Sequence, residues 1–147
     1  IARAVSTMNT DPSTGAPRAT GGCLCGGVRY ALRGALRGVV NCHCGQCQRS
    51  HGHYGAYTSV APDQISLTET RGLKWYQSSA KARRGFCAEC GSSLFWEPAG
   101  KDHLAIAAGS LDQPSGLTTT GHIFTDDKAD YYTIDDGLDH WPGSGEP

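Results

Sequence analysis

Long hydrophobic runs are missing from this 147-residue chain. None approaches the roughly 20 apolar residues that a membrane-spanning helix needs, so no membrane partner is expected. An excess of one charge is missing too. Thirteen basic side chains stand against fourteen acidic ones, a net of −1, so no nucleic-acid partner or acidic lipid surface is implied. Charged residues make up only 18% of the chain while glycine reaches 20 residues, which suits a loop-rich β protein better than a helical bundle. There is no heptad, internal repeat or phosphate-cradling glycine loop. The opening stretch, "IARAVSTMNTDPSTGAPRATGG", lacks the continuous apolar core of a secretory signal, and a cytoplasmic setting is the expectation. Methionine occurs once, at Met8, which reads as the natural start, with residues 1–7 ahead of it. Residues 1–20, rich in Thr, Ser, Pro and Gly, read as a flexible tail.

What the chain does have is cysteine, seven residues in three short groups. Cys23 and Cys25 form C-x-C, Cys42, Cys44 and Cys47 form C-x-C-x-x-C, and Cys87 and Cys90 form C-x-x-C. Disulfides fit poorly, because cysteines two apart on a strand point the same way, an odd count leaves one over, and a reducing compartment disfavours bridges. Thiolates at these spacings point to zinc before any other ion, with an iron–sulfur cluster a distant second. Cys42, Cys44 and Cys47 share one loop and can reach a single ion. That leaves Cys23, Cys25, Cys87 and Cys90 as a complete set of four thiolate ligands, tying the start of the domain to a segment some sixty residues on. Glycine follows the second sulfur in both "CLCGG" and "FCAECGSS", where a tight turn around metal often needs a positive φ.

The three-cysteine loop owns no fourth cysteine. His51 or His53 is close enough in sequence to curl back and close it. His43, between two of the ligands, should point to the opposite side. The other reading is an open position for water or substrate, as in catalytic zinc sites. Three thiolates make a weak Lewis acid but still lower the pKa of an incoming thiol, which favours sulfur chemistry over hydrolysis.

The rest of the pattern is short strands. Strand signals cover 26–32, the approach to Cys42, 54–60, 64–70 after an "APD" turn, 73–79 and the run into Cys87. A hairpin is expected from 93–98 and 103–111, and two late strands from "TGHIFTD" and "DYYTI". The only helical candidate is the short "QRSHG" after Cys47. The expected fold is mainly β, with small antiparallel sheets stapled by the four-cysteine zinc site.

The order "GGCLCGGVRY", "CHCGQCQRSHG", "YQSSAKARRGFCAECGSSLFW", "AAGSLDQP", "GHIFTDDKADYY" and "DDGL" resembles the glutathione-dependent formaldehyde-activating family, also called the CENP-V/GFA family. The likeness runs from about Gly21 to Leu138 and includes all seven cysteines. It implies an Mss4-like fold, a zinc domain over 21–140 and a C-terminal tail over 141–147. It also implies a structural zinc on Cys23, Cys25, Cys87 and Cys90 and a catalytic zinc, more labile, on Cys42, Cys44 and Cys47. The activity it implies is a carbon–sulfur lyase joining glutathione, or a similar thiol, to formaldehyde or a similar small electrophile.

Around that site the sequence offers further candidates. Arg83 and Arg84 could grip a substrate carboxylate. Arg49, Ser78 and Ser79 are candidate substrate contacts. His122 is the candidate proton carrier, and His43 a donor to thiolate sulfur. Trp75, Trp96, Tyr131 and Tyr132 read as core or pocket wall, and Asp126, Asp127 and Asp130 as a solvated turn. Two other functions stay open: a zinc-stabilised binding module without turnover, and a zinc lyase or hydrolase acting on an unrelated small molecule. An exposed β edge would also allow a homodimer.

Overall fold

Short strands separated by glycine turns can bury little individually, so stability has to come from layering sheets. The computed structural model describes residues 16–145 and arranges them in that way. Three strands, β1 (Ala19–Gly22), β2 (Arg29–Leu32) and β5 (Ile65–Glu69), form a small antiparallel sheet in the order β1-β2-β5. The larger sheet takes β3 (Val39–Cys42), β4 (Gly55–Val60), β6 (Leu73–Ser79), β7 (Ala82–Cys87), β8 (Ser93–Pro98), β9 (Leu104–Ala107), β10 (Thr119–Ile123) and β11 (Asp139–His140). Its order is β11-β10-β3-β4-β9-β8-β7-β6. The single α-helix among the described residues, α1 (Gly45–His51), follows β3 directly.

Period-2 alternation in the large sheet creates two different faces. All four residues of β9 are buried. Leu104 and Ile106 join Val28, Tyr30, Leu32 and Leu94 in the core between the two sheets. Ala105 and Ala107 face the other way, beside Cys42, Cys47 and Tyr57. Large aliphatic side chains therefore fill one face, and small ones leave room on the other.

The mainly β expectation holds, with the strand ranges 73–79 and 93–98 matching throughout. Several details differ. The large sheet is mixed and not small, because β10 runs parallel to both β3 and β11. The "DYYTI" segment is not a strand. Neighbouring residues Tyr131 and Tyr132 both reach toward histidines, Tyr131 to His53 and Tyr132 to His43. A strand would send them to opposite faces. The helix begins at Gly45, two residues before Cys47, because the Cys44 side chain caps it. At the termini, the expected tail over 1–15 lies outside the described residues. Ala19 and Thr20, placed in the tail, belong to β1. Residues in the expected C-terminal tail are tied down as well: Trp141 N donates to His122 O at 2.9 Å and Phe124 N to Gly143 O at 2.8 Å.

Candidate functional site

Two turns bring the first sulfur cluster together. Cys23 and Cys25 follow β1, while Cys87 ends β7 and Cys90 lies in the turn leading to β8. Their four sulfurs all lie within 4.8 Å of one another. Cys25 Sγ is 3.8 Å from Cys23 Sγ and 3.7 Å from Cys87 Sγ. A disulfide would hold sulfurs at about 2.05 Å, whereas a tetrahedral ion with metal–sulfur bonds of about 2.3 Å spaces its ligands about 3.8 Å apart. The donor set and its spacing fit such an ion. Backbone amides aim at the sulfurs: Val28 N lies 3.2 Å from Cys23 Sγ and Gly27 N 3.4 Å from Cys25 Sγ. Gly26 and Gly91, each just after a cysteine, have φ of 85° and 84°, the left-handed backbone expected there. Gly72 closes the back of the cluster, where a β-carbon would come within 2.5 Å of Cys87 Sγ.

The second cluster is built by one strand end and one helix start. Cys42 is the last residue of β3, Cys44 is the N-cap of α1, and Cys47 lies in its first turn. Their three sulfurs also lie within 4.8 Å of one another. Cys44 Sγ accepts from Cys47 N at 3.4 Å. Sulfurs this close compete for protons. Contacts from Cys42 and Cys47 hold the Cys44 thiol down to about 2, while Cys44 and then Cys47 push Cys42 far up. Such a set is poised to hold a cation. Among the described residues no histidine or carboxylate completes the group. His51 Nε2 lies 2.6 Å from the Tyr57 hydroxyl and His53 Nδ1 2.6 Å from the Tyr131 hydroxyl, so both candidate fourth ligands are committed elsewhere.

A cavity of about 560 Å³ opens over the three sulfurs. The small side chains of Ala82 and Ala105 make the space, and Trp96, Ile123 and Phe124 give it apolar walls. Arg84 enters from β7. Its Nη2 lies 3.7 Å from Cys47 Sγ and 3.4 Å from Gln46 Oε1, and its Nη1 lies 3.2 Å from the Tyr57 hydroxyl. Burial works against its charge, yet Tyr57 and the Cys47 sulfur outweigh that and raise its pKa. Arg84 Nε is buried with no hydrogen-bond partner. Burial also pushes the Tyr57 phenol up and the His51 imidazole down, so Tyr57 meets the cavity protonated and His51 stays neutral.

Strand alternation decides which candidates reach this space. Arg84 and Ser79 line the cavity. Arg83, one residue along, faces the other side, where it stacks 3.9 Å over the Trp75 ring and bonds Glu97 at 2.7 Å. The two arginines therefore do not share a carboxylate. Ser78 Oγ donates to Ala82 O at 3.3 Å, and Arg49 is exposed on α1 away from the cavity lining.

His122 also lies on the opposite face. It and His43 are joined by a 3.0 Å contact between His43 Nε2 and His122 Nδ1. His122 Nε2 continues to Asp136 Oδ2 at 2.8 Å, and His43 Nδ1 to the Tyr132 hydroxyl. His43 points away from the sulfurs, as expected, and so does not serve them as a donor. Burial and then neighbouring His122 lower it to about 4, which keeps it neutral. The pair is a buried strut behind the cysteine loop. Trp96 is pocket wall, in line with the expectation for it. Tyr57, Gln46 and Lys81 were missed. The pairing of Cys42 with Gly55 and Val40 with Tyr57 puts Tyr57 on the sulfur face, a signal visible only once register is known.

Comparison with known proteins places this geometry. The chain is 28% identical over 118 residues to a Schizosaccharomyces pombe protein named as an uncharacterized lyase, a match spanning 79% of this chain and 85% of that one. Its fold is similar to the crystal structure of a Rhodobacter sphaeroides protein, with a TM-score of 0.55 at 20% identity, covering 68% of this chain and 97% of the other. The fold is accordingly mainly β, with antiparallel and mixed sheets. The model of the family described as glutathione-dependent formaldehyde-activating enzyme matches residues 18–127, which takes in both sulfur clusters, Tyr57 and Arg84. The chain belongs to the glutathione-dependent formaldehyde-activating enzyme family.

Proposed function

We propose that the protein is a zinc-dependent carbon–sulfur lyase that joins a small-molecule thiol such as glutathione to formaldehyde, or a similar small electrophile, at the three-cysteine cluster. The observation that carries this reading is the placement of Cys42, Cys44 and Cys47 at a cavity large enough for a thiol substrate, with no fourth protein ligand among the described residues. Membership of the family and the lyase-named relative support the reaction class. Zinc on these thiolates would supply a coordination position that lowers the pKa of an incoming thiol.

The chain's own residues do the rest. Addition forms one C–S bond, turns the carbonyl oxygen into an alkoxide and moves one proton from thiol to that oxygen. Tyr57, protonated and lining the cavity, is the donor available to the developing alkoxide, and neutral His51, 2.6 Å behind it, can take up or return the proton. Arg84 offsets the negative charge of the sulfurs and holds the Tyr57 hydroxyl in place. Trp96 and Phe124 exclude water and hold the two reactants together, which is worth more to an addition between two molecules than acid–base help alone. Cys23, Cys25, Cys87 and Cys90 would hold the structural zinc. Seven unbridged thiols suit a reducing, cytoplasmic setting.

The test is two-dimensional exchange NMR of formaldehyde and glutathione with and without protein, since the addition also proceeds uncatalysed. Exchange accelerated by the zinc-loaded protein and lost in Cys44→Ser is the expected result. Exchange no faster than the protein-free control removes this activity. Metal analysis should give near two zinc ions per chain.

A further inference from the structure

The cavity carries a charge pattern that three cysteines do not require. Besides Arg84, its walls include Arg37 and Lys81, with His103 at the margin, and none of the residues lining it is acidic. Arg84 is spent partly on Cys47 sulfur. The other two are not. Arg37 donates to main-chain oxygens, Nε to Gly38 O at 3.2 Å and Nη2 to Tyr57 O at 2.9 Å, and has no carboxylate partner among the described residues. Lys81 is exposed at the β6–β7 turn, with a side chain that makes no ion pair among the described residues. On the other face of the same strands Arg83 is matched by Glu97, and in the small sheet Arg29 is matched by Asp112. Asp102, an 81% exposed side chain outside the lining, holds His103 Nδ1 at 2.8 Å.

The lining also includes apolar Trp96, Phe124 and Ile123. A ligand that satisfied this space would put a thiol at one end, an uncharged stem along the aromatic walls and a carboxylate at the margin. No carboxylate lines the cavity to pair with an ammonium group.

We propose that this cavity selects mercaptocarboxylates, that Lys81 and Arg37 are its specificity-determining residues, and that the α-ammonium of glutathione contributes nothing to recognition. This rests on the cysteine cluster being a thiol site. Lys81, exposed and without an ion-pair partner among the described residues, sets the preference among substrates, while Arg37 and Arg84 add to the positive field. Attraction between unit charges a few ångströms apart near a protein surface is ample for a several-fold preference.

Calorimetric titration of the zinc-loaded protein tests this, using 3-mercaptopropionate, cysteamine, glutathione, deaminated glutathione and the S-methyl ether of 3-mercaptopropionate. The expected result is binding of 3-mercaptopropionate at least fivefold tighter than cysteamine, against the bias from cysteamine being the more acidic thiol. Glutathione and its deaminated form should bind within twofold of each other. Lys81→Gln should at least halve the acid-over-amine preference, and Lys81→Glu should abolish it. Equal binding of acid and amine, or a preference untouched by both Lys81 variants, would overturn the proposal. So would glutathione binding several-fold tighter than its deaminated analogue. If the S-methyl ether binds as well as the thiol while the charge preference persists, the cavity selects anions but the thiol-site reading fails. If thiols alone bind without regard to charge, the reverse holds. No binding by any of the five removes both.

Discussion

At the scale of single residues, the two cysteine clusters make different demands on the same side chain. Cys87 is fully buried and packed into the core between the sheets, whereas Cys44 is partly exposed at the start of α1. Serine is among the preferred helix N-caps, so Cys44→Ser keeps the helix start while losing a sulfur ligand. It should leave the thermal midpoint within a few degrees of wild type and cut turnover at least a hundredfold. Cys87→Ser buries a hydroxyl with a poorer donor set and breaks the four-sulfur group. The polar group alone costs roughly 1–3 kcal/mol, and metal loss adds to it. Calorimetric unfolding of both variants beside the wild type checks the contrast. Equal loss of stability would remove the division of labour. The four-and-three grouping of the sulfurs was legible in the sequence, because cysteine spacing restricts which sulfurs can meet. The roles of Arg83, Ser78 and His122 were not, since each is settled by which face of a strand it occupies. A tetrapeptide such as "KARR" does not reveal its own phase.

At the scale of elements, the strands were read from alternation, and those with a strong apolar side were found. β1 and β11 were not. β1 is rich in glycine and threonine, and β11 is only two residues long, so neither carries a periodic signal, and each exists because a neighbour offers it a ladder. The same dependence explains the turn at Gly72. Its amide donates to Gly27 O at 2.8 Å and its carbonyl accepts from Ala88 N at 2.7 Å, which stitches the β5–β6 turn to both halves of the four-cysteine cluster. Gly72→Ala would drive a methyl group to 2.5 Å from Cys87 Sγ, far inside van der Waals contact. It should destabilise the domain by about 2 kcal/mol or more and hasten transfer of metal to a competing chelator. Chelator-transfer kinetics followed by absorbance provide the check, with Gly45→Ala, where a β-carbon meets nothing within 4 Å, as the control.

At the scale of the whole molecule, the small sheet is held against the body by few polar contacts, and one group dominates them. Asp112 receives Arg29 Nη2 at 2.6 Å, Arg29 Nη1 at 3.2 Å and the Thr20 hydroxyl at 2.6 Å. The Arg29 hydrogen bonds hold its carboxyl below the ordinary value near 3.8. A depressed carboxyl contributes stability above its unfolded value, and that stability disappears as pH falls through the folded one. Because both partners are substantially exposed, the pair is worth roughly 0.5–1 kcal/mol. Asp112→Asn should therefore lower the urea midpoint at pH 7, and the gap to wild type should narrow as pH is taken below 4. A gap independent of pH would mean that shape, and not charge, holds the sheet. This pairing spans more than eighty residues of chain, so no local motif foretold it, although the sequence did foretell a mainly β fold and a four-cysteine group that could hold a metal.

Ala105 and Ala107 have a consequence of their own. Toward the cysteine loop β9 presents only methyl groups, and at Ala105 the room in the chamber depends on what that position omits. The sulfurs and cations lie on other elements. A single longer side chain on that strand would shrink the volume available to a guest while leaving the chemistry in place. A single codon change at Ala105 would thus alter the size of molecule the chamber admits without touching the cysteine cluster.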